Sequence, residues 1–195
     1  MAVRIRAAVL ALALAVPLAG CSRGGDERSY GGAEGLPGPL PAGVEFAEPP
    51  SSGVPAPEFT AELVDGSEVE AADLWADRPA VLLFTASWCE TCRDVHRAVA
   101  EAVGERDGAV SLLAVVPEDD ADAAAGYAEE LELAYPVAVG TDRIWLDYAA
   151  REPPLAVLVA PGGTVLRGWP GGVERAALAE ELDSLIAASP SGFRR

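Results

Sequence analysis

The most constraining stretch of this chain is Val81-Leu82-Leu83-Phe84-Thr85-Ala86-Ser87-Trp88-Cys89-Glu90-Thr91-Cys92-Arg93. Four apolar residues in a row, Val81 to Phe84, read as a short strand buried on both faces. Residues 90–103 then carry Val95, Val99 and Val103 at i, i+4 and i+8, which predicts a helix with one apolar face. A buried strand therefore runs into a C-x-x-C that opens a helix. Unpaired backbone N–H groups and the helix dipole favour a thiolate at such a terminus. Two intervening residues bring the second sulfur back within one turn. Cys89 is the expected nucleophile, and Cys92, deeper in the turn, the expected resolving thiol.

Other readings of the pair stay open at this level. A lone C-x-x-C is also half of a zinc site, but four-ligand sites want a second pair or histidines. The one histidine, His96, stands four residues after Cys92 and reads as a residue of the helix surface. A metal held by Cys89, Cys92 and His96 would need a carboxylate or water as fourth ligand. Two structural free cysteines are the remaining option.

The rest of the folded part alternates short apolar runs with helical segments. Phe59–Val64 and Ser67–Val69 flank Asp65-Gly66, a strong hairpin signal. A short helical turn is expected at Ala71–Trp75, a second buried strand at Val110–Val116, and an acidic helix at Asp119–Leu131 capped by Asp119 or Asp120. A short strand at Pro136–Val139 leads to a helix at Thr141–Ala149, with Thr141 as cap. Leu155–Val159 and Thr164–Trp169 form a hairpin across Pro161-Gly162-Gly163. Glu174–Ala188 is the closing helix, with Leu178, Leu182 and Leu185 on one face. This order predicts an α/β domain: a central mixed sheet flanked by helices, with an N-terminal β-hairpin. No G-x-G-x-x-G or Walker A follows the first strand, which argues against a doubly wound nucleotide fold.

The N-terminus reads as an address. Arg4 and Arg6 precede a run of about 13 apolar residues, too short for a membrane span of about 20. Leu18-Ala19-Gly20-Cys21 resembles the bacterial lipobox, whose cysteine is acylated and becomes the first mature residue. Residues 1–20 are thus expected to be a lipoprotein signal peptide and Cys21 a lipidation site. Residues 21–56, rich in Gly, Pro and Ser, read as a flexible tether, because they offer too little apolar surface to fold alone. The domain is expected over 57–188, followed by a tail at 189–195. With a formal charge of −17 and arginine as its only strong base, the chain should be repelled by nucleic acid.

With these residues in view, the chain resembles thioredoxin-fold proteins, and more closely their TlpA/ResA-like, membrane-anchored branch. The strand followed by Trp88-Cys89-Glu90-Thr91-Cys92 carries the likeness. Pro57-Glu58-Phe59-Thr60 with Asp65-Gly66 and Leu74 resembles the branch's first hairpin. Tyr127–Val139 resembles its insertion. Tyr148-Ala149-Ala150-Arg151-Glu152-Pro153-Pro154-Leu155 resembles Y-x-V-x-x-x-P-T, whose proline is cis and faces the cysteines; here that proline is Pro154.

The resemblance implies a redox-active Cys89–Cys92 disulfide and exchange with protein disulfides or dithiols at the extracytoplasmic face of a bacterial membrane. Members commonly act as reductants supplied by a membrane electron partner. Trp88, Pro153 and Pro154 would contact substrate, and no organic cofactor or metal is implied. Two departures stand out. Leu83 occupies the place, six residues before Cys89, where relatives often carry a buried acid or amide. Pro153 has no N–H to offer a substrate strand. Three rival functions are weighed beside this one: a redox-inactive module, a copper-binding module, and a peroxiredoxin-like peroxidase. The peroxidase would want threonine at Ala86.

Overall fold

A computed structural model describes residues 30–187. The expected signal peptide, Cys21 and the tail at 189–195 lie outside these residues. The strands are β1 (Glu45–Phe46), β2 (Val54–Pro55), β3 (Thr60–Leu63), β4 (Glu68–Glu70), β5 (Ala80–Phe84), β6 (Ser111–Pro117), β7 (Val137–Gly140), β8 (Leu155–Ala160), β9 (Thr164–Pro170) and β10 (Ile186–Ala187). The helices are α1 (Ala71–Leu74), α2 (Cys92–Gly104), α3 (Ala121–Glu130), α4 (Asp142–Asp147) and α5 (Arg175–Leu185).

Eight strands form one mixed sheet in the order β2-β9-β8-β5-β6-β7-β3-β4. The central strand β5 pairs in parallel with β6, Leu82 opposite Leu113, and antiparallel with β8, Leu82 opposite Val157. All five of its residues are buried. That is why it shows no polar alternation: both faces are covered. Its side chains divide with period two. Val81 and Leu83 enter the core shared with α2, α3 and α5. Ala80, Leu82 and Phe84 enter the core beneath α1, α4 and the β3–β4 hairpin. On α5, Leu178, Leu182 and Leu185 are the buried stripe. Each full burial of such a side chain contributes about 1.5–3 kcal/mol.

The β3–β4 hairpin turns at Asp65-Gly66 and joins the far edge of the sheet through β7. The β8–β9 hairpin turns through Gly163, where φ is +87° and a Cβ would lie 2.9 Å from Trp75 Nε1. Glycine satisfies both constraints. A central mixed sheet, helices on both faces and a hairpin at one edge match the expected arrangement.

Two local expectations change. The Gly/Pro-rich stretch read as tether lies along the domain from Tyr30 onwards. Gly31 donates its N–H to Leu133 O at 3.0 Å, and its carbonyl accepts from Val137 N–H at 2.7 Å. Ala33 and Leu36 pack onto the core, β1 pairs with β10, and β2 pairs with β9. Composition could not reveal this, because the backbone partners of Gly31, β1 and β2 lie more than 90 residues away in sequence. The expected helix caps also differ. Asp120 and Thr141 occupy N-cap positions of α3 and α4, but neither side chain makes the capping bond. The Asp120 carboxylate is engaged elsewhere.

Candidate active site

Strand β5 ends at Phe84, and the chain turns through Ala86–Thr91 before α2 begins at Cys92. The turn is tied by backbone bonds from Cys89 N–H to Ala86 O at 3.1 Å and from Cys92 N–H to Cys89 O at 3.2 Å. Cys89 and Cys92 are joined by a disulfide, Cα to Cα 5.3 Å. Ala86 and the two cysteines form a small buried cluster. Cys92 is fully buried and Cys89 is 5% exposed, so an incoming thiolate meets Cys89 first. Thr91 Oγ1 lies 3.5 Å from Cys89 Sγ, where its hydroxyl can donate to the sulfur. Thr91 is the N-cap residue of α2 but makes no capping bond.

Beside the pair, Trp88 projects into solvent at 67% exposure. The Pro153–Pro154 bond is cis. Pro154 is buried and its carbonyl accepts from Gly171 N–H at 2.8 Å. Gly172 follows with φ +91°, where a Cβ would stand 2.5 Å from Val95 Cγ2 and 3.3 Å from Pro154 Cγ. Only glycine lets the proline loop and α2 approach so closely. Trp88 and Pro153 share the walls of a groove of about 930 Å³ with Pro117, Trp145 and Leu146. Glu118, Asp119 and Asp142 also line it, with Arg151 as the one basic residue. The structure therefore brings Trp88 and Pro153 together, with Pro154 behind them.

His96 is not a surface residue. It is 2% exposed, and the buried face of α2 is Cys92, His96, Val99 and Ala102. This stripe is rotated from the Val95–Val99–Val103 line, whose outer members are only partly buried against the same core. Burial of a histidine needs partners, and the fold supplies two. Nε2 lies 2.9 Å from Thr85 Oγ1, and Nδ1 is hydrogen-bonded to the Tyr135 hydroxyl. The Tyr135 ring stacks on the imidazole at 6.0 Å, and the Tyr127 ring meets it edge-on at 5.5 Å. Desolvation pushes the His96 pKa down to about 4, so the ring is neutral at pH 7. Burial likewise raises Tyr127 and Tyr135 above the usual tyrosine range.

Asp120, 6% exposed, accepts from Ser87 N–H at 2.6 Å and from Ser87 Oγ–H at 2.5 Å. It pins the loop that presents Trp88 and Cys89. At the rim Arg93 pairs with Glu130 at 2.9 Å and lies over the Tyr127 ring. The hydrogen bond between them raises the guanidinium pKa and lowers the carboxyl pKa. Among the described residues no group of three or more His, Cys, Asp and Glu side chains is arranged to hold a metal ion. No described helix is long and apolar enough to cross a membrane.

Sequence reasoning named Trp88, Cys89, Cys92, Pro153 and Pro154 as site residues; it did not single out Thr85 or Tyr135, read Asp120 only as a cap, and placed His96 on the helix surface. One signal was available. Cys92, His96, Val99 and Val103 also fall on a single helical stripe. Asp120 and Tyr135 gave none, because their partners lie 33 and 39 residues away.

The Redoxin family model matches residues 51–168. No curated protein matches the chain in sequence. Among solved structures, the chain is similar to a secreted disulfide oxidoreductase of Mycobacterium tuberculosis at 23% identity and a TM-score of 0.57, over 65% of this chain and 96% of that one. It is similar to the exposed lipoprotein thioredoxin of Streptococcus pneumoniae at 24% identity and 0.59, over 66% and 100%. A thiol:disulfide interchange protein of the thioredoxin family from Chlorobium tepidum aligns at 18% identity and 0.57, over 69% and 99%. These likenesses establish the fold as thioredoxin-like.

Proposed function

The chain belongs to the Redoxin family, as a thiol–disulfide oxidoreductase on a thioredoxin-like fold, and from that premise we propose that it reduces disulfides of extracytoplasmic proteins through Cys89 and Cys92. The observation that carries this reading is the Cys89–Cys92 disulfide at the start of α2, with the less buried Cys89 next in the chain to Trp88, which shares a groove wall with Pro153.

In the reducing direction the Cys89 thiolate attacks one sulfur of a substrate disulfide. A mixed disulfide forms and the other substrate sulfur leaves as a thiolate, which takes up a proton. Cys92, having lost its proton, then attacks Cys89 Sγ. The second substrate sulfur leaves and the Cys89–Cys92 disulfide closes. Each turnover oxidises the enzyme dithiol by two electrons and reduces the substrate by two. A membrane dithiol donor returns the enzyme to its reduced form. The substrate lies in the groove between Trp88 and Pro153; Pro153 can accept a hydrogen bond through its carbonyl but cannot donate one.

Of the proteins of this fold that the chain resembles, one is secreted and another is an exposed lipoprotein. Together with Leu18-Ala19-Gly20-Cys21, this supports cleavage before Cys21 and lipid attachment there. The catalytic test is insulin reduction by the full chain. Cys89→Ser should abolish it and Cys92→Ser should trap a mixed disulfide; an intact rate in Cys89→Ser would remove the proposal. Cys21→Ala should release the protein from the membrane fraction, and retention there would remove the anchor.

A further inference from the structure

Closing the disulfide requires Cys92 to shed a proton, yet Cys92 is fully buried. Leu83, six residues before Cys89 and buried in the core shared with α2, offers no acid or base. Buried polar groups do stand nearby. His96 follows Cys92 by one turn on the same face of α2, which puts their Cβ atoms about 6 Å apart. Helical side chains lean toward the N-terminus, so the imidazole tilts toward Cys92. Its Nε2 bonds Thr85, a fully buried residue one peptide before Ala86, which packs against both cysteines. Its Nδ1 bonds Tyr135. Both His96 and Tyr135 line a cavity of about 560 Å³ beside α2, open to solvent, with Leu133, Pro37, Arg93 and Arg97 also in its wall. A line of hydroxyl, imidazole and hydroxyl thus runs from Thr85, next in the chain to Ala86 of the cysteine cluster, to Tyr135 in the cavity wall.

We propose that Thr85, His96 and Tyr135 form a proton relay serving Cys92. The proposal rests on the disulfide-exchange reading above. As Cys92 attacks, its S–H proton passes to Thr85 Oγ1 while the Thr85 O–H proton passes to His96 Nε2. The Nδ1 proton moves to the Tyr135 oxygen, whose own proton leaves to water in the cavity. One proton is lost by Cys92 and one is gained by water. Both hydroxyls remain neutral and the imidazole exchanges one tautomer for the other. The return half-reaction runs the same path backwards and resets the tautomer.

The imidazole is suited to this because burial keeps it neutral at pH 7. The other titratable or charged groups around it are Arg93, Arg97 and Glu101 of α2, Tyr127 and Glu130 of α3, and Glu132 before β7. Arg93 and Glu130 neutralise one another at the rim. His96, Thr85 and Tyr135 are relay and positioning residues; they do not touch substrate.

The test is a single-turnover reaction of the reduced full chain with Ellman's reagent, followed by stopped flow from pH 5.5 to 9.5. The first thionitrobenzoate reports attack by Cys89, and the second reports resolution by Cys92. In Tyr135→Phe and Thr85→Val the second phase should slow about tenfold at pH 7. The deficit should shrink toward pH 9.5, where hydroxide takes the Cys92 proton directly, and the first phase should keep its rate. Thr85→Ser, which retains a hydroxyl, should recover most of the loss. The relay is overturned if the second phase is unchanged in both variants, or slowed equally at every pH. A first phase absent from the wild type, or surviving in Cys89→Ser, would instead overturn the disulfide-exchange reading.

Discussion

Asp120 accepts both protons that Ser87 has to give, N–H at 2.6 Å and Oγ–H at 2.5 Å, across 33 residues of chain. Ser87 stands two residues before Cys89, so this carboxylate fixes the loop that carries the nucleophile. Hydrogen bonds to a charged acceptor contribute about 1.5–3 kcal/mol each, and loss of the acceptor strands a half-buried N–H. Asp120→Ala should therefore lower unfolding stability by about 3 kcal/mol, read from urea denaturation. Ser87→Ala should cost about 1 kcal/mol, and the double variant should be less destabilised than the sum. Additive losses would show that the two residues act independently.

Thr91 bears on the nucleophile's ionisation. Its hydroxyl, 3.5 Å from Cys89 Sγ, donates to the sulfur and favours the thiolate once the disulfide opens. One such bond contributes about 1 kcal/mol, or about fivefold in an equilibrium. Thr91→Val should slow iodoacetamide alkylation of the reduced protein at pH 7 by about that factor. At pH 10, well above the ordinary thiol pKa of about 8.5, the rates should converge.

Burial of His96 makes stability depend on pH. The folded-state pKa, pushed down to about 4 by desolvation, lies below the usual histidine value of 6.5. Between these values the unfolded chain binds a proton that the folded chain refuses, so stability is full above pH 6.5 and falls as the pH drops toward 4. From pH 7.5 to 5 the expected loss is about 2 kcal/mol. Urea denaturation at the two pH values should show this difference in the wild type, and it should be absent from His96→Gln.

The groove beside the cysteines bears on substrate choice. Trp88 and Leu146 are exposed hydrophobics at its walls, and Glu118, Asp119 and Asp142 outnumber Arg151 there. Apolar peptides with basic flanks complement such a surface. A peptide disulfide flanked by arginine should be reduced about tenfold faster than its glutamate-flanked counterpart at low ionic strength, and the gap should close near 1 M salt. Replacing all three acids by their amides should abolish the preference while leaving the rate on hydroxyethyl disulfide unchanged.

How far the sequence carries depends on the range of each interaction. Strand β5 was legible because continuous burial leaves no polar residue in Val81–Phe84. The β3–β4 hairpin was legible because Asp65-Gly66 is a local turn signal, and α5 because Leu178, Leu182 and Leu185 repeat along one face. The cysteine pair sits three residues apart and announces itself. Each feature that escaped is non-local. Asp120 reads as a helix cap until Ser87 is known to lie opposite it. Val95 and Val103 suggest a helix face that tertiary packing turns toward His96, because Thr85 and Tyr135 wait there. Glu45 finds Ala187 only after the whole domain has closed.

The two backbone bonds at Gly31 also set how far this domain travels. Were Cys21 the anchor, ten peptide units would separate it from Gly31, a contour of no more than about 35 Å. A leash from Cys21 to Pro57 would allow more than about 110 Å on the same scale. Under the proposed anchoring at Cys21, the catalytic head would be confined to a thin layer above the lipid. Redox partners would then have to present their sulfurs at that height, and added residues between Cys21 and Gly31 would widen the range of heights the domain can serve.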